Sequence, residues 1–147
     1  MVLKTFLAES CAETRRTLVG SMQQIAPVRF VGLANTEDGC HKWLDHPAHK
    51  WDLAIIDLQL SEGSGFGVLQ KHLDRSNLQK IVVLTSYVNE DIRQRCIQSG
   101  ADGVFDKTRD IEKMVDFCKV HASYVDFMHS SGVLHTSKPR GAPSVCC

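Results

Sequence analysis

Two hydrophobic periodicities alternate along this chain, and that alternation constrains its fold more than any other feature. Short β-branched or aliphatic runs fall at 2–8, 28–34, 53–57, 81–85 and 104–106. Between them, apolar residues recur at helical spacing. Leu18, Val19, Met22 and Ile25 form one stripe, Cys40, Trp43 and Leu44 a second, and Phe66, Leu69 and Leu73 a third. Ile92, Cys96 and Ile97 mark a fourth helix, with Asn89 placed to cap its start and Gly100 to end it. Ile111, Met114, Val115, Cys118, Ala122 and Val125 give the longest stripe, running towards Phe127. Strands alternating with helices predict an α/β fold, a doubly wound five-stranded parallel sheet covered on both faces. The third and fourth runs are almost wholly apolar, as parallel strands buried on both faces must be.

The chain has 147 residues, the size of one domain. Lys plus Arg number 17 and Asp plus Glu number 17, so there is no basic footprint for nucleic acid. No run approaches the ~20 apolar residues of a membrane span. Lys4 and Glu9 interrupt the apolar start, so no secretion signal is expected and a cytoplasmic location follows. Residues 130–147 contain nine Ser, Thr, Gly or Pro, two basic residues and no acid. Such a stretch cannot offset its ordering entropy, so residues 127–147 are expected to form a flexible tail behind a body at 1–126. Six cysteines occur without a Cys-x-x-Cys pair. Cys11, Cys40, Cys96 and Cys118 read as reduced, buried thiols.

In sheets of this kind, ligands bind outside the carboxyl ends of the strands. Those ends carry Glu9 and Ser10, Asp57, Thr85, and Lys107. Two carboxylates, two hydroxyls and an ammonium would thus meet at one edge.

The order and spacing of these residues resemble the receiver domain of two-component response regulators, the single-domain chemotaxis regulator among them. Asp57 ends the apolar run Leu53-Ala54-Ile55-Ile56 and is followed by Glu62-Gly63-Ser64-Gly65-Phe66. Thr85 lies 28 positions beyond Asp57, and Lys107 a further 22 on. The resemblance implies a flavodoxin-like (βα)5 fold over residues 1–126. It implies that Asp57 is the phosphoacceptor, with Thr85 and Lys107 completing the catalytic set. It also implies a Mg²⁺ site made by Glu9, Asp57 and the Gln59 backbone carbonyl. Ser10 stands where the family has a second acid, which removes a charge from that site and implies weaker Mg²⁺ binding. A sensor histidine kinase or histidine phosphotransfer protein would supply the phosphoryl group. Output would be altered affinity for a downstream protein, from a monomer or weak homodimer, without direct nucleic-acid or membrane contact. The protein would be no enzyme beyond its own phosphoryl transfer and hydrolysis. A second reading is a pseudo-receiver, a binding module that works without phosphorylation.

Three departures from the family pattern carry expectations of their own. Val104 replaces the buried aromatic switch residue, and Phe105 beside it should point to the other face. Thr108 follows Lys107 where relatives carry Pro. Tyr87, two after Thr85, is expected to cover the phosphoryl group. Other signals are set aside. Gly63-Ser64-Gly65-Phe66-Gly67 has no Gly-Lys-Ser/Thr after it and Val68 where a dinucleotide loop needs glycine. Cys40, His41, His46 and His49 lack the paired spacing of a zinc site. Cys146-Cys147 resembles a prenylation signal, but no GTPase motif accompanies it. A dehalogenase-type phosphatase would need an acid at Gln59.

Overall fold

The computed structural model describes residues 1–131. Its elements run β1 (Leu3–Ala8), α1 (Ala12–Ile25), β2 (Val28–Ala34), α2 (Glu37–Asp45) and β3 (Leu53–Ile56). They continue α3 (Gly65–Lys71), β4 (Lys80–Thr85), α4 (Glu90–Gln98), β5 (Gly103–Asp106) and α5 (Ile111–Ser130). The strands form one sheet in the order β2-β1-β3-β4-β5, every pair parallel. This is the expected doubly wound, flavodoxin-like arrangement.

Alternation along the strands sorts the core into two layers. Leu3, Leu7, Leu53, Ile55, Val82 and Leu84 pack with Met22 of α1 and with Met114, Cys118 and Val125 of α5. Phe6, Ala54, Ile56, Ile81, Val83 and Val104 face the other way, onto Cys40 and Leu44 of α2, Val68 and Leu69 of α3, and Cys96 of α4. Each large apolar side chain fully buried this way contributes about 1.5–3 kcal/mol of transfer free energy. Val104 and Phe105 obey the pleat: Val104 joins the second layer, and the Phe105 ring meets Phe117 of α5 edge-on at 6.0 Å.

The helix ends follow local chemistry. Asn89 Oδ1 accepts the Ile92 N–H at 2.8 Å, and Gly100 takes φ +108° just past α4. Thr36 caps α2 by accepting from Gly39 N, and Ser64 caps α3 by accepting from Phe66 N.

Several stripe ends differ from the sequence reading. Leu73 lies beyond α3, and Ile25 and Ile97 are exposed because each sits at the last turn of its helix, where the stripe swings off the sheet. Cys11 is exposed, not buried, because it precedes α1 at the rim; Cys40, Cys96 and Cys118 are buried free thiols. Helix α5 continues through Ser130, past the boundary at 126, because its apolar stripe outlasts the strands it covers. Most of the expected tail, including Cys146 and Cys147, lies outside the described residues. No helix among the described residues is long and apolar enough to cross a membrane.

Candidate functional site

Parallel pairing sets the carboxyl ends of the strands side by side. Ala8 is in register with Ile56, so Glu9 and Asp57 emerge next to each other. Thr85 is in register with Asp106, which delivers Lys107 one residue later, and the Lys107 N–H donates to the Thr85 carbonyl at 2.9 Å. Among the sequence-derived candidates, Glu9, Asp57 and Lys107 are in direct contact. The Lys107 Nζ lies 2.7 Å from Glu9 Oε1 and 2.6 Å from Asp57 Oδ2.

One ammonium therefore serves two carboxylates, and the trio keeps one negative charge in excess. The Glu9 side chain is only 2% exposed and Lys107 18%. Burial alone would lower the Lys107 pKa, but the hydrogen bonds and charges of Asp57 and Glu9 outweigh it and the net shift is upward. Backbone donors hold the outer oxygens. Glu9 Oε2 accepts from Cys11 N at 3.1 Å, and Asp57 Oδ1 accepts from Gln59 N at 3.2 Å. Arg15 donates to the Glu9 carbonyl at 2.7 Å, tying α1 to the same corner.

Ser10 reaches the Gln59 carbonyl with its hydroxyl at 3.4 Å, so these two expected metal-site residues face each other. Among the described residues no three or more His, Cys, Asp or Glu side chains gather as a metal cluster, so the oxygens at this corner are two carboxylates, a hydroxyl and a backbone carbonyl. The histidines after β2 have partners of their own. His41 bonds Glu37, His46 and His49 stack on each other at 4.6 Å, and His49 stacks on Trp43 at 4.2 Å.

Thr85 is buried at the end of β4. Tyr87 is 69% exposed, with its hydroxyl 3.4 Å from Asn89 Nδ2, so it is not packed as a cover. Beyond Lys107 the missing proline is replaced by a hydrogen-bonded turn. Asp106 Oδ1 accepts from Thr108 N at 2.8 Å, Thr108 Oγ1 at 2.7 Å and Arg109 N at 3.1 Å. Chiefly through the Thr108 bonds, the Asp106 carboxyl is held down at about 2. Sequence reasoning missed this turn, although Asp-Lys-Thr-Arg carries the Asx-turn signal.

Comparison with known proteins bears on the fold and the family. The family model of the response regulator receiver domain matches residues 11–119. A probable chemotaxis protein CheY of Rhizobium etli is 26% identical over 114 residues, covering 76% of this chain and 86% of that protein. The transcriptional regulatory protein ComA of Bacillus subtilis is 29% identical over 103 residues, covering 67% of this chain and 48% of ComA. The chain spans about half the length of the first curated relatives it matches. The fold is also that of a LuxR-family response regulator from Aurantimonas sp. SI85-9A1, with a TM-score of 0.73 at 14% identity over 84% of this chain and 87% of that one. A Burkholderia pseudomallei response regulator, solved with a phosphorylated aspartic acid, calcium ion and citrate, gives a TM-score of 0.62 at 24% identity over 89% and 75% of the two chains. With its five-stranded parallel sheet and with Asp57 and Lys107 meeting at the carboxyl edge, this chain belongs to the response regulator receiver domain family.

Proposed function

We propose that this protein accepts a phosphoryl group on Asp57 from a phosphohistidine and signals by altered affinity for a protein partner. The observation that carries this reading is the Lys107 ammonium, 2.6 Å from Asp57 Oδ2, at the carboxyl edge of a receiver sheet. A carboxylate oxygen of Asp57 attacks phosphorus, an O–P bond forms, and the P–N bond breaks with its electron pair passing to the imidazole nitrogen. Such transfer asks the protein for positioning and charge neutralisation, not for covalent help. Lys107 neutralises a phosphoryl oxygen, and the Thr85 hydroxyl donates to another.

The donor set fits Mg²⁺. Glu9, Asp57, the Gln59 carbonyl and the Ser10 hydroxyl are all oxygen donors, and Mg²⁺ typically takes one or two carboxylates and keeps several waters. The excess negative charge of the Glu9–Asp57–Lys107 trio also favours a cation. When bound, Mg²⁺ would offset charge on the transferring phosphoryl oxygens, with Glu9, Asp57 and Gln59 as its protein ligands. Ser10, being neutral, would hold a metal-bound water without supplying charge, so the affinity would be lower than with two acids. The donor would be a sensor histidine kinase or histidine phosphotransfer protein, the setting cytoplasmic, and the chemistry limited to the protein's own phosphoryl transfer and hydrolysis.

Incubation with a small phosphodonor and Mg²⁺, read by intact mass, tests the reading. Wild type should gain one phosphate and Asp57→Asn none. No gain at any Mg²⁺ concentration overturns it in favour of a phosphorylation-independent binding module.

A further inference from the structure

The glycine-rich segment after β3 has a use that the phosphoacceptor chemistry does not absorb. Glu37, the first residue of α2, reaches across to it. Its Oε1 accepts the Ser64 N–H at 2.9 Å, and its Oε2 lies 3.0 Å from His41 Nε2. Backbone bonds reinforce the junction: Glu37 N donates to Glu62 O at 2.9 Å, and Ser61 N donates to Asn35 O at 2.9 Å.

The glycines make room for this side chain. A Cβ on Gly63 or on Gly67 would fall on the Glu37 side chain, and Gly63 also sits at φ +80°. The loop thus forms a cradle for one carboxylate. The other side of the loop bears on the phosphoryl site, because Ser64 bridges Gln59 in antiparallel fashion and Gly65 N donates to Leu58 O at 3.0 Å. Gln59 in turn presents its carbonyl to Ser10 and its N–H to Asp57.

We infer that Glu37 is a positioning residue for the divalent-cation site, holding the 58–65 loop so that the Gln59 carbonyl keeps its place beside Ser10 and Asp57. The inference rests on the proposed Mg²⁺-dependent receiver function. Glu37 touches neither the phosphoacceptor nor the cation. It acts through Ser64, in the manner of outer partners that orient metal ligands. Ser10 sharpens the need: with one acid missing, the carbonyl carries a larger share of the coordination. His41 holds the outer oxygen of Glu37 and so fixes the direction of the inner one.

Calorimetric titration of the full chain with Mg²⁺ alone, without a phosphodonor, tests this. Glu37→Ala should weaken Mg²⁺ binding about tenfold, the lower end of the usual effect of removing an outer partner. The Ser64 amide should lose hydrogen-exchange protection in the same variant. Glu37→Gln, which keeps an acceptor for Ser64 and a partner for His41, should restore both. Gly67→Ala leaves Glu37 in the chain but displaces its carboxylate, and should reproduce the loss if Glu37→Ala does not fold. A folded Glu37→Ala protein with wild-type Mg²⁺ affinity overturns the inference and leaves the phosphoacceptor reading standing. Wild type that binds no Mg²⁺ overturns the cation site itself and the inference with it.

Discussion

The two ends of the sheet both bury charge, and they treat it in opposite ways. At the amino ends of β4 and β5, Arg75 and Asp102 form a pair at 2.7 Å with side chains 2% and 7% exposed. Four of the five N–H donors of Arg75 are engaged: Nε on Gln79 O, Nη1 on His72 O, and Nη2 on Gly100 O and Asp102. Asp102 Oδ2 also accepts the Ile81 N–H at 2.9 Å. That pair sets one positive charge against one negative. At the carboxyl ends, one ammonium is shared between two carboxylates. In the first arrangement the guanidinium is ion-paired and almost wholly hydrogen-bonded within the protein. The second is left negative, and that residual charge is what a cation, and then a phosphoryl group with its cation, can satisfy. Saturated charge is structural; unsaturated charge is available for chemistry.

The contrast gives Asp→Asn opposite signs at the two ends. Asp102→Asn should destabilise the fold by about 3–5 kcal/mol, because it strands a buried guanidinium. Burial has already pushed the Arg75 pKa down to about 10. Urea unfolding reads this cost, and phosphate uptake per folded molecule should be unchanged. Thr108→Ala comes next, at about 1.5 kcal/mol for a hydrogen bond to a charged acceptor. It also loosens Asp106, whose lowered pKa contributes stability above its ordinary 3.8 that is lost as pH falls towards about 2. Acid unfolding of the variant should therefore begin at higher pH than in wild type.

Asp57→Asn should be neutral or stabilising by at most about 1 kcal/mol, since it leaves Glu9 and Lys107 matched. A loss as large as that of Asp102→Asn would break the contrast. The smallest effect belongs to His121 at the saturated end, whose Nε2–H is shared by Asp52 O and Leu78 O, both at 3.0 Å. Burial, the largest cause, lowers its pKa. Its contribution is complete above the ordinary value of ~6.5 and is lost as pH falls through the lowered folded value. His121→Gln keeps a donor without the titration, so its urea midpoint should fall less than that of wild type between pH 7.5 and pH 5.5.

What the sequence made legible was what local pattern encodes. Ile81, Val82, Val83 and Leu84 announce a buried strand because both faces are apolar, and Asn89 announces a helix start because its side chain bonds three residues ahead. Strand ends could be read once the topology was assumed, which brought Glu9, Asp57, Thr85 and Lys107 to one edge. Partnerships between distant residues left no such trace. Glu37 and Ser64 are 27 residues apart, as are Arg75 and Asp102. No periodicity couples positions at that separation. The glycines at 63 and 67 were visible, but the carboxylate they accommodate lies on another element. Burial of Cys11 was misjudged because residue type alone does not report a place at the sheet rim.

The strand order has a consequence for how the chain is made. β1 pairs with β2 and β3, so the sheet can grow as soon as β3 has emerged, and Glu9 and Asp57 then face each other. Lys107 arrives 50 residues after Asp57, one residue past the strand that docks at the far edge. Synthesis runs from the amino terminus, so the repulsion precedes its remedy. Docking of β5 therefore completes the sheet and relieves the acid pair in one event, and a chain interrupted before that point carries a phosphoacceptor with no counter-charge to hold what it accepts.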